Sequence, residues 1–265
     1  MIIDFHTHMF PDKIAARTID FLSKTGGDMN PFTDGTWKGL KESTKQAGID
    51  HSIVLPIATR PGQFHTINEF ATHFQEGTLI SFGSLHPESE NYKEELKQIQ
   101  DMGMKGIKLH PDYQDTYFND IRYKRIISYA TELGLIISVH AGQDPKCPDN
   151  IHCTPAMAEE VLNEVEPEKL VLAHMGGNEL WSEVEERLVG RNVYFDTGVI
   201  LDRMPQEQFL RMVRGHGADR IVFGTDSPWY DQTKAVNDFN NTDLTQEEKD
   251  KIFGKNANDL FNFFG

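Results

Sequence analysis

Leu135-Ile136-Ile137-Ser138-Val139-His140 is the stretch whose reading decides the fold. It is apolar almost throughout, and it is too short for a helix. A strand with one wet face alternates polar and apolar residues. A parallel strand covered on both faces does not, and reads as a continuous apolar run. Gly134 stands just before the run, where the C-terminal cap of a preceding helix belongs. Seven other stretches read the same way: Ile2–Phe5, Ser52–Ile57, Leu79–Leu85, Gly106–His110, Leu170–His174, Val193–Asp196 and Ile221–Gly224. After a longer first gap they recur roughly every 30 residues, the length of one βα unit.

Helix start signals fall between them. Thr154-Pro155 offers an N-cap with proline at the first helical position. Thr245-Gln246-Glu247-Glu248 reads as a capping box opening the last helix. Gly48 and Gly103, like Gly134, sit where helices should end before the next strand. Eight strands alternating with helices predict an α/β fold, a (β/α)8 TIM barrel in a single domain over residues 1–265; such barrels need about 250 residues. Gly26-Gly27, Pro31 and Gly35 in the first gap read as an insertion in the first βα connection.

The chain has 265 residues, 38% of them hydrophobic and 25% charged, which suits a globular core. Its net charge of −15 argues against nucleic acid or an anionic membrane as partner. No apolar run reaches the ~20 residues that cross a bilayer. No basic, signal-like segment opens the sequence, so a cytoplasmic protein is expected. Cys147 and Cys153 are close enough for a disulfide, but two reduced thiols are the preferred reading. A zinc site using His152 and these cysteines is the weaker option.

In a barrel of this kind the active site forms at the C-terminal ends of the strands. Those ends carry His6 and His8, Lys108 and His110, His140, His174 and Asp226. His6 and His8 are two apart on a strand and share one face, so both can grip one ion. Histidine and aspartate are the ligand types of a catalytic divalent ion with one open position. One strand-end histidine is more often a packed, hydrogen-bonded residue. Five at one end of a barrel are harder to excuse, because burying polar groups is costly.

His6-Thr7-His8, Gly106-Ile107-Lys108-Leu109-His110-Pro111, Val139-His140-Ala141-Gly142, Ala173-His174-Met175-Gly176-Gly177 and Gly224-Thr225-Asp226-Ser227-Pro228-Trp229 together resemble the amidohydrolase superfamily. The branch they resemble is the amidohydrolase-2 type, which includes aminocarboxymuconate-semialdehyde decarboxylase-like enzymes. The resemblance implies that His6, His8, His140 and Asp226 hold one divalent ion, zinc being the expected metal. It implies that His174 is an acid/base that orients water, and that Asp226 also accepts a proton. Lys108 is read either as a free ammonium for a substrate carboxylate or oxyanion, or as a carboxylated lysine bridging two ions. A bland alternative pairs it with a carboxylate such as Asp4. Arg60, His110 and Trp229 are candidates for substrate contact, Arg60 because a guanidinium reads carboxylates bidentately. His51, His65, His73 and His216 are expected in turns or helices on the surface.

The function expected is metal-dependent hydrolysis of a small amide, lactone or ester by activated water. The alternative is a non-oxidative decarboxylase or hydratase acting on a small carboxylic acid. A non-catalytic, metal-binding barrel is disfavoured, since every candidate ligand and His174 are present. A small-molecule substrate and, by resemblance alone, a homodimer complete the expectation.

Overall fold

Numbered along the chain, the strands are β1 (Ile3–Thr7), β2 (His51–Val54), β3 (Leu79–Ser81), β4 (Gly83–Ser84), β5 (Gly106–Leu109), β6 (Ile136–Val139), β7 (Leu170–Leu172), β8 (Tyr194–Asp196) and β9 (Ile221–Val222). The computed structural model describes residues 1–27 and 29–262. Every strand expected from sequence is present within three residues of its predicted ends. Phe82 separates β3 from β4, so one expected strand is two short ones. Between the strands run helices that begin and end largely where the cap signals stand.

The chain divides into two compact units. The first comprises Met1–Val54, Glu76–Ile80 and Asp196–Gly265. In it β1 is buried along its whole length and pairs in parallel with β2, Asp4 lying opposite Ser52. On the other side of β1 runs the segment that continues β9. Phe5 N donates to Phe223 O at 2.7 Å, Asp226 N to His6 O at 2.7 Å and His8 N to Ser227 O at 2.6 Å. This unit's core includes Phe223, Phe239 and Phe253, whose ring centroids lie 4.6–5.7 Å apart. Such offset and edge-on pairs add a little to plain apolar burial. The longer first connection holds two helices, Asp12–Thr25 and Trp37–Gln46, on either side of the glycine- and proline-bearing stretch.

The second unit comprises Leu55–Gln75 and Ser81–Phe195. Its strands β4 to β8 lie side by side in chain order. They are parallel, with Lys108 opposite Ser138 and Val139 opposite Leu172. Because a strand alternates its faces, this register sends Lys108, His110, Ser138 and His140 to a common side. Ile107, Leu109, Ile137 and Val139 go to the other, where they are fully buried.

The caps are as expected. Thr154 accepts from Met157 N, and Thr245 and Glu248 exchange the two bonds of a capping box. Gly48, Gly103 and Gly134 adopt φ of 68°, 86° and 71°, a left-handed conformation that glycine reaches at no steric cost. Cys147 and Cys153 are both free thiols. Burial pushes the Cys153 thiol well above its ordinary value.

One cap has a measurable consequence. Asp120 opens the helix Ile121–Glu132, accepting from Arg122 N at 2.8 Å and from the Arg122 guanidinium at 2.8 and 2.9 Å. Arg122 holds the Asp120 carboxyl down at about 2. Asp120→Ala should therefore lower unfolding free energy at pH 7 by about 1–2 kcal/mol. The carboxyl is held below its unfolded value, so its contribution is present above about pH 4 and lost as pH falls toward 2. Urea unfolding of both proteins at neutral and acid pH measures it; a constant difference would contradict the assignment.

Candidate metal centre

In the first unit the end of β1 brings His6 and His8 together with Asp226. His6 Nε2 lies 3.2 Å from His8 Nε2 and 3.4 Å from Asp226 Oδ1, and His8 Nε2 lies 3.0 Å from the same oxygen. Donor atoms on bonds of about 2.1 Å around one tetrahedral ion are separated by about 3.4 Å. The other nitrogen of His6 is engaged: Nδ1–H donates to Asp196 Oδ2 at 2.9 Å, with both side chains almost wholly buried. That bond keeps the proton on Nδ1 and leaves the Nε2 lone pair facing His8 and Asp226. Asp196 is itself fixed, because Gly198 N donates to its Oδ1 at 2.9 Å. The chemistry of this donor set, two imidazoles and a carboxylate with one imidazole oriented from behind, fits a divalent ion.

Local sequence explains the convergence. Asp4, two residues before His6, is fully buried and accepts from Thr225 Oγ1 at 2.6 Å, Gln232 Nε2 at 2.7 Å and Thr225 N at 2.9 Å. Burial pushes its carboxyl up to about 7, against the pull of these bonds. Asp4 thus ties β1 to the residue preceding Asp226. Gly224 lets the two backbones approach: a Cβ there would sit 2.9 Å from His6 Cβ. Asp226 adopts φ 63°, an uncommon conformation for a residue with a side chain, and Trp229 N closes the turn onto Asp226 O at 2.9 Å.

The second unit gathers a separate set. His110 and His140 stack with ring centroids 4.1 Å apart and planes 6° from parallel. Their Nε2 atoms face the Asp144 carboxylate at 3.7 and 3.9 Å, and Asp112 Oδ2 lies 3.8 Å from His140 Nε2. His140 Nδ1 is 3.1 Å from His174 Nε2. His174 stands in a left-handed turn at φ 58°, its carbonyl accepting from Trp181 Nε1 at 3.1 Å. Lys108 is fully buried on β5. Behind His110 lies Gln114, whose Oε1 accepts from His110 N and Tyr123 OH while its Nε2 donates to the carbonyls of Ala58 and Leu85.

The predicted residues therefore fall into two groups: His6, His8 and Asp226 in one unit, of which His6 is buried and the other two are partly exposed, and Lys108, His110, His140 and His174, all buried, in the other. Arg60 does not join them; it is exposed at the start of a short 3-10 turn. Trp229 is partly exposed. His216, expected on the surface, is 3% exposed at the end of the helix Gln206–His216, and His51 opens β2 rather than lying in a turn or helix. Residues that sequence reasoning passed over are Asp196, Asp112, Asp144 and Gln114. Asp196 carried a usable signal, since it ends an apolar run as the histidines do. Gln114 carried none.

The protein-family model described as Amidohydrolase matches residues 3–263. No curated protein is significantly similar to the chain. Among solved structures, 2,6-dihydroxybenzoate decarboxylase from Rhizobium is similar at a TM-score of 0.76 and 16% identity, over 100% of this chain and 99% of that one. An uncharacterized TIM-barrel protein from Bordetella bronchiseptica is similar at 0.75 and 18%, over 98% of each chain. A dihydroxybenzoic acid decarboxylase from Polaromonas, with bound manganese and an inhibitor, is similar at 0.72 and 15%, over 98% of this chain and 96% of that one. At these identities the likeness speaks to fold, and the fold is the α/β TIM barrel. With a family match running almost end to end, the chain belongs to the amidohydrolase family and is an enzyme of that superfamily.

Proposed function

We propose that this protein is a metal-dependent hydrolase of a small amide, lactone or ester, using one divalent ion held by His6, His8 and Asp226. The observation that supports it is the meeting of His6 Nε2, His8 Nε2 and Asp226 Oδ1 within 3.4 Å, with Asp196 fixing the His6 proton on the far nitrogen. The family pattern adds His140 as a further ligand. When bound, such an ion supplies Lewis acidity and makes water easier to deprotonate near neutral pH. Zinc is the metal proposed; manganese, present in one similar structure, is the competitor.

The chain's own residues then divide the work. Asp226 accepts the proton of the attacking water through its carboxylate. His174 orients that water through its imidazole and carries a proton to the leaving group. Lys108 supplies a buried positive charge for a substrate carboxylate or developing oxyanion. His110, Trp229 and Arg60 are the residues proposed for substrate contact. A homodimer is proposed by resemblance, and a cytoplasmic location from the reading of Cys147 and Cys153 as reduced thiols.

A second reading is favoured by a specific observation: several similar structures are decarboxylases of hydroxylated aromatic acids. There the same residues would bind a carboxylic acid. The C–C bond to the carboxylate would break, carbon dioxide would leave, and Asp226 or His174 would deliver a proton to the ring carbon. Incubating metal-loaded protein with lactones, amides and hydroxybenzoic acids separates the readings. Acid release without gas supports hydrolysis, and stoichiometric carbon dioxide supports decarboxylation.

The protein purified without chelator should carry close to one equivalent of divalent metal by elemental analysis; none would remove the proposed centre. Asp196→Asn should weaken metal binding about 10–100-fold by chelator competition. Gly198 N holds the amide oxygen, so the amide NH2 faces His6 Nδ1 and forces the proton onto Nε2. His174→Ala should abolish turnover while most metal stays bound. A variant that loses its metal as completely as His140→Ala would make His174 a ligand.

A further inference from the structure

Five buried groups crowd the loops that follow β5 and β6: His110, Asp112, His140, Asp144 and His152. His110, His140 and Asp144 have donor atoms close enough together to suggest a cation site of their own. The bonding pattern argues otherwise. Tyr113 N donates to His110 Nδ1 at 3.3 Å, so in neutral His110 the proton sits on Nε2, and that nitrogen has no lone pair to offer a cation. His110 Nε2–H points instead at Asp144 Oδ2, 3.7 Å away.

That leaves Asp112. Its Oδ1 accepts twice from His152, from the backbone N and from Nδ1, each at 3.1 Å. Its Oδ2 is buried and makes no hydrogen bond, a costly condition for a carboxylate oxygen. The group facing that oxygen is His140 Nε2, at 3.8 Å. A shift of about 1 Å would bring the pair to ordinary hydrogen-bond length. Asp144 Oδ2 also lies 3.9 Å from His140 Nε2, but its nearer ring is His110, at 3.7 Å, which leaves Asp112 as the carboxylate for His140.

His152 ends the loop that runs from Gly142 to Cys153. The loop is anchored at that end: Phe118 N donates to His152 O at 2.7 Å, Gly142 N donates to Cys153 O at 2.8 Å, and Tyr117 stacks on the His152 ring. His152 is 4% exposed. The loop therefore holds Asp112 from one side while Asp112 faces His140 on the other.

We propose that Asp112 is a positioning residue for His140, set in place by His152, and that it keeps the His140 proton on Nε2 so that Nδ1 carries the lone pair. This rests on the reading of His140 as a metal ligand and adds which nitrogen it presents. Two of the three candidate histidine ligands would then differ in kind. His6, backed by Asp196 at Nδ1, presents Nε2; His140, backed by Asp112 at Nε2, presents Nδ1. Carboxylate partners of this sort commonly tune metal affinity 10–100-fold.

Asp112→Asn is the test, because it keeps the shape of the side chain. The backbone N and Nδ1 of His152 hold the amide oxygen, so the amide NH2 faces His140 Nε2 and drives the proton to Nδ1. Long-range 15N–1H spectra of metal-free, histidine-labelled protein should show His140 as the Nε2–H tautomer in wild type and the Nδ1–H tautomer in the variant. Zinc affinity by chelator competition should fall about 10–100-fold. His152→Ala should weaken zinc binding by a smaller factor, and the double variant should be no weaker than Asp112→Asn alone, as for residues acting through one another. A thermal midpoint in metal-free buffer near that of wild type shows that the fold is kept. An Asp112→Asn protein with the wild-type tautomer and wild-type zinc affinity overturns the proposal. The tautomer is read without metal, so it stands apart from the metal reading: wild-type protein that takes up no zinc counts against that reading alone.

Discussion

Three backbone hydrogen bonds, from Phe5 to Phe223, from Asp226 to His6 and from His8 to Ser227, carry the candidate centre of the first unit. They fix the register in which β1 runs beside the segment after β9. Side chains alternate along a strand, so a slip of one residue would turn His6 and His8 to the opposite face. The Asp4 carboxylate reinforces the register by holding Thr225 through both its amide and its hydroxyl. A rigid ladder of this kind places donor atoms more reliably than a loop could.

The second constraint is electrostatic. Asp4, Asp112, Asp144 and Asp196 are all buried, and a buried carboxylate is tolerated only with partners. Asp4 is satisfied by neutral donors, and burial leaves its carboxyl raised to about 7. Asp196 is joined to a histidine and a backbone amide, Asp112 to both donors of His152. The carboxylates nearest the candidate ligands thus act on imidazole orientation. That is a use of charge invisible in a net value of −15.

What could be read from sequence follows the same division. The strands were legible because covered parallel strands are apolar throughout, and the caps because their chemistry is local. His6, His8, His110, His140, His174 and Asp226 were legible because each ends or closely follows such a run. Asp112 and Asp144 were not, since they lie in loops and their importance comes from which ring each faces; His152 drew notice only as a zinc ligand beside the cysteines, not as the partner of Asp112. Gln114 contributes by satisfying four groups, two of them far away in sequence at Ala58 and Leu85, which no spacing reveals. His216 was misread because an imidazole at a helix end can tuck inward as easily as face water.

Gly224 carries a consequence of its own. Its missing side chain is the space into which His6 fits, since an added carbon would sit 2.9 Å from His6 Cβ and 3.5 Å from Asp196 Cβ. The position therefore works as a steric tolerance shared by a ligand and the carboxylate behind it. A single methyl there would displace the imidazole without altering charge, hydrogen-bonding capacity or any residue of the centre. It offers a purely mechanical way of separating placement from chemistry in this enzyme.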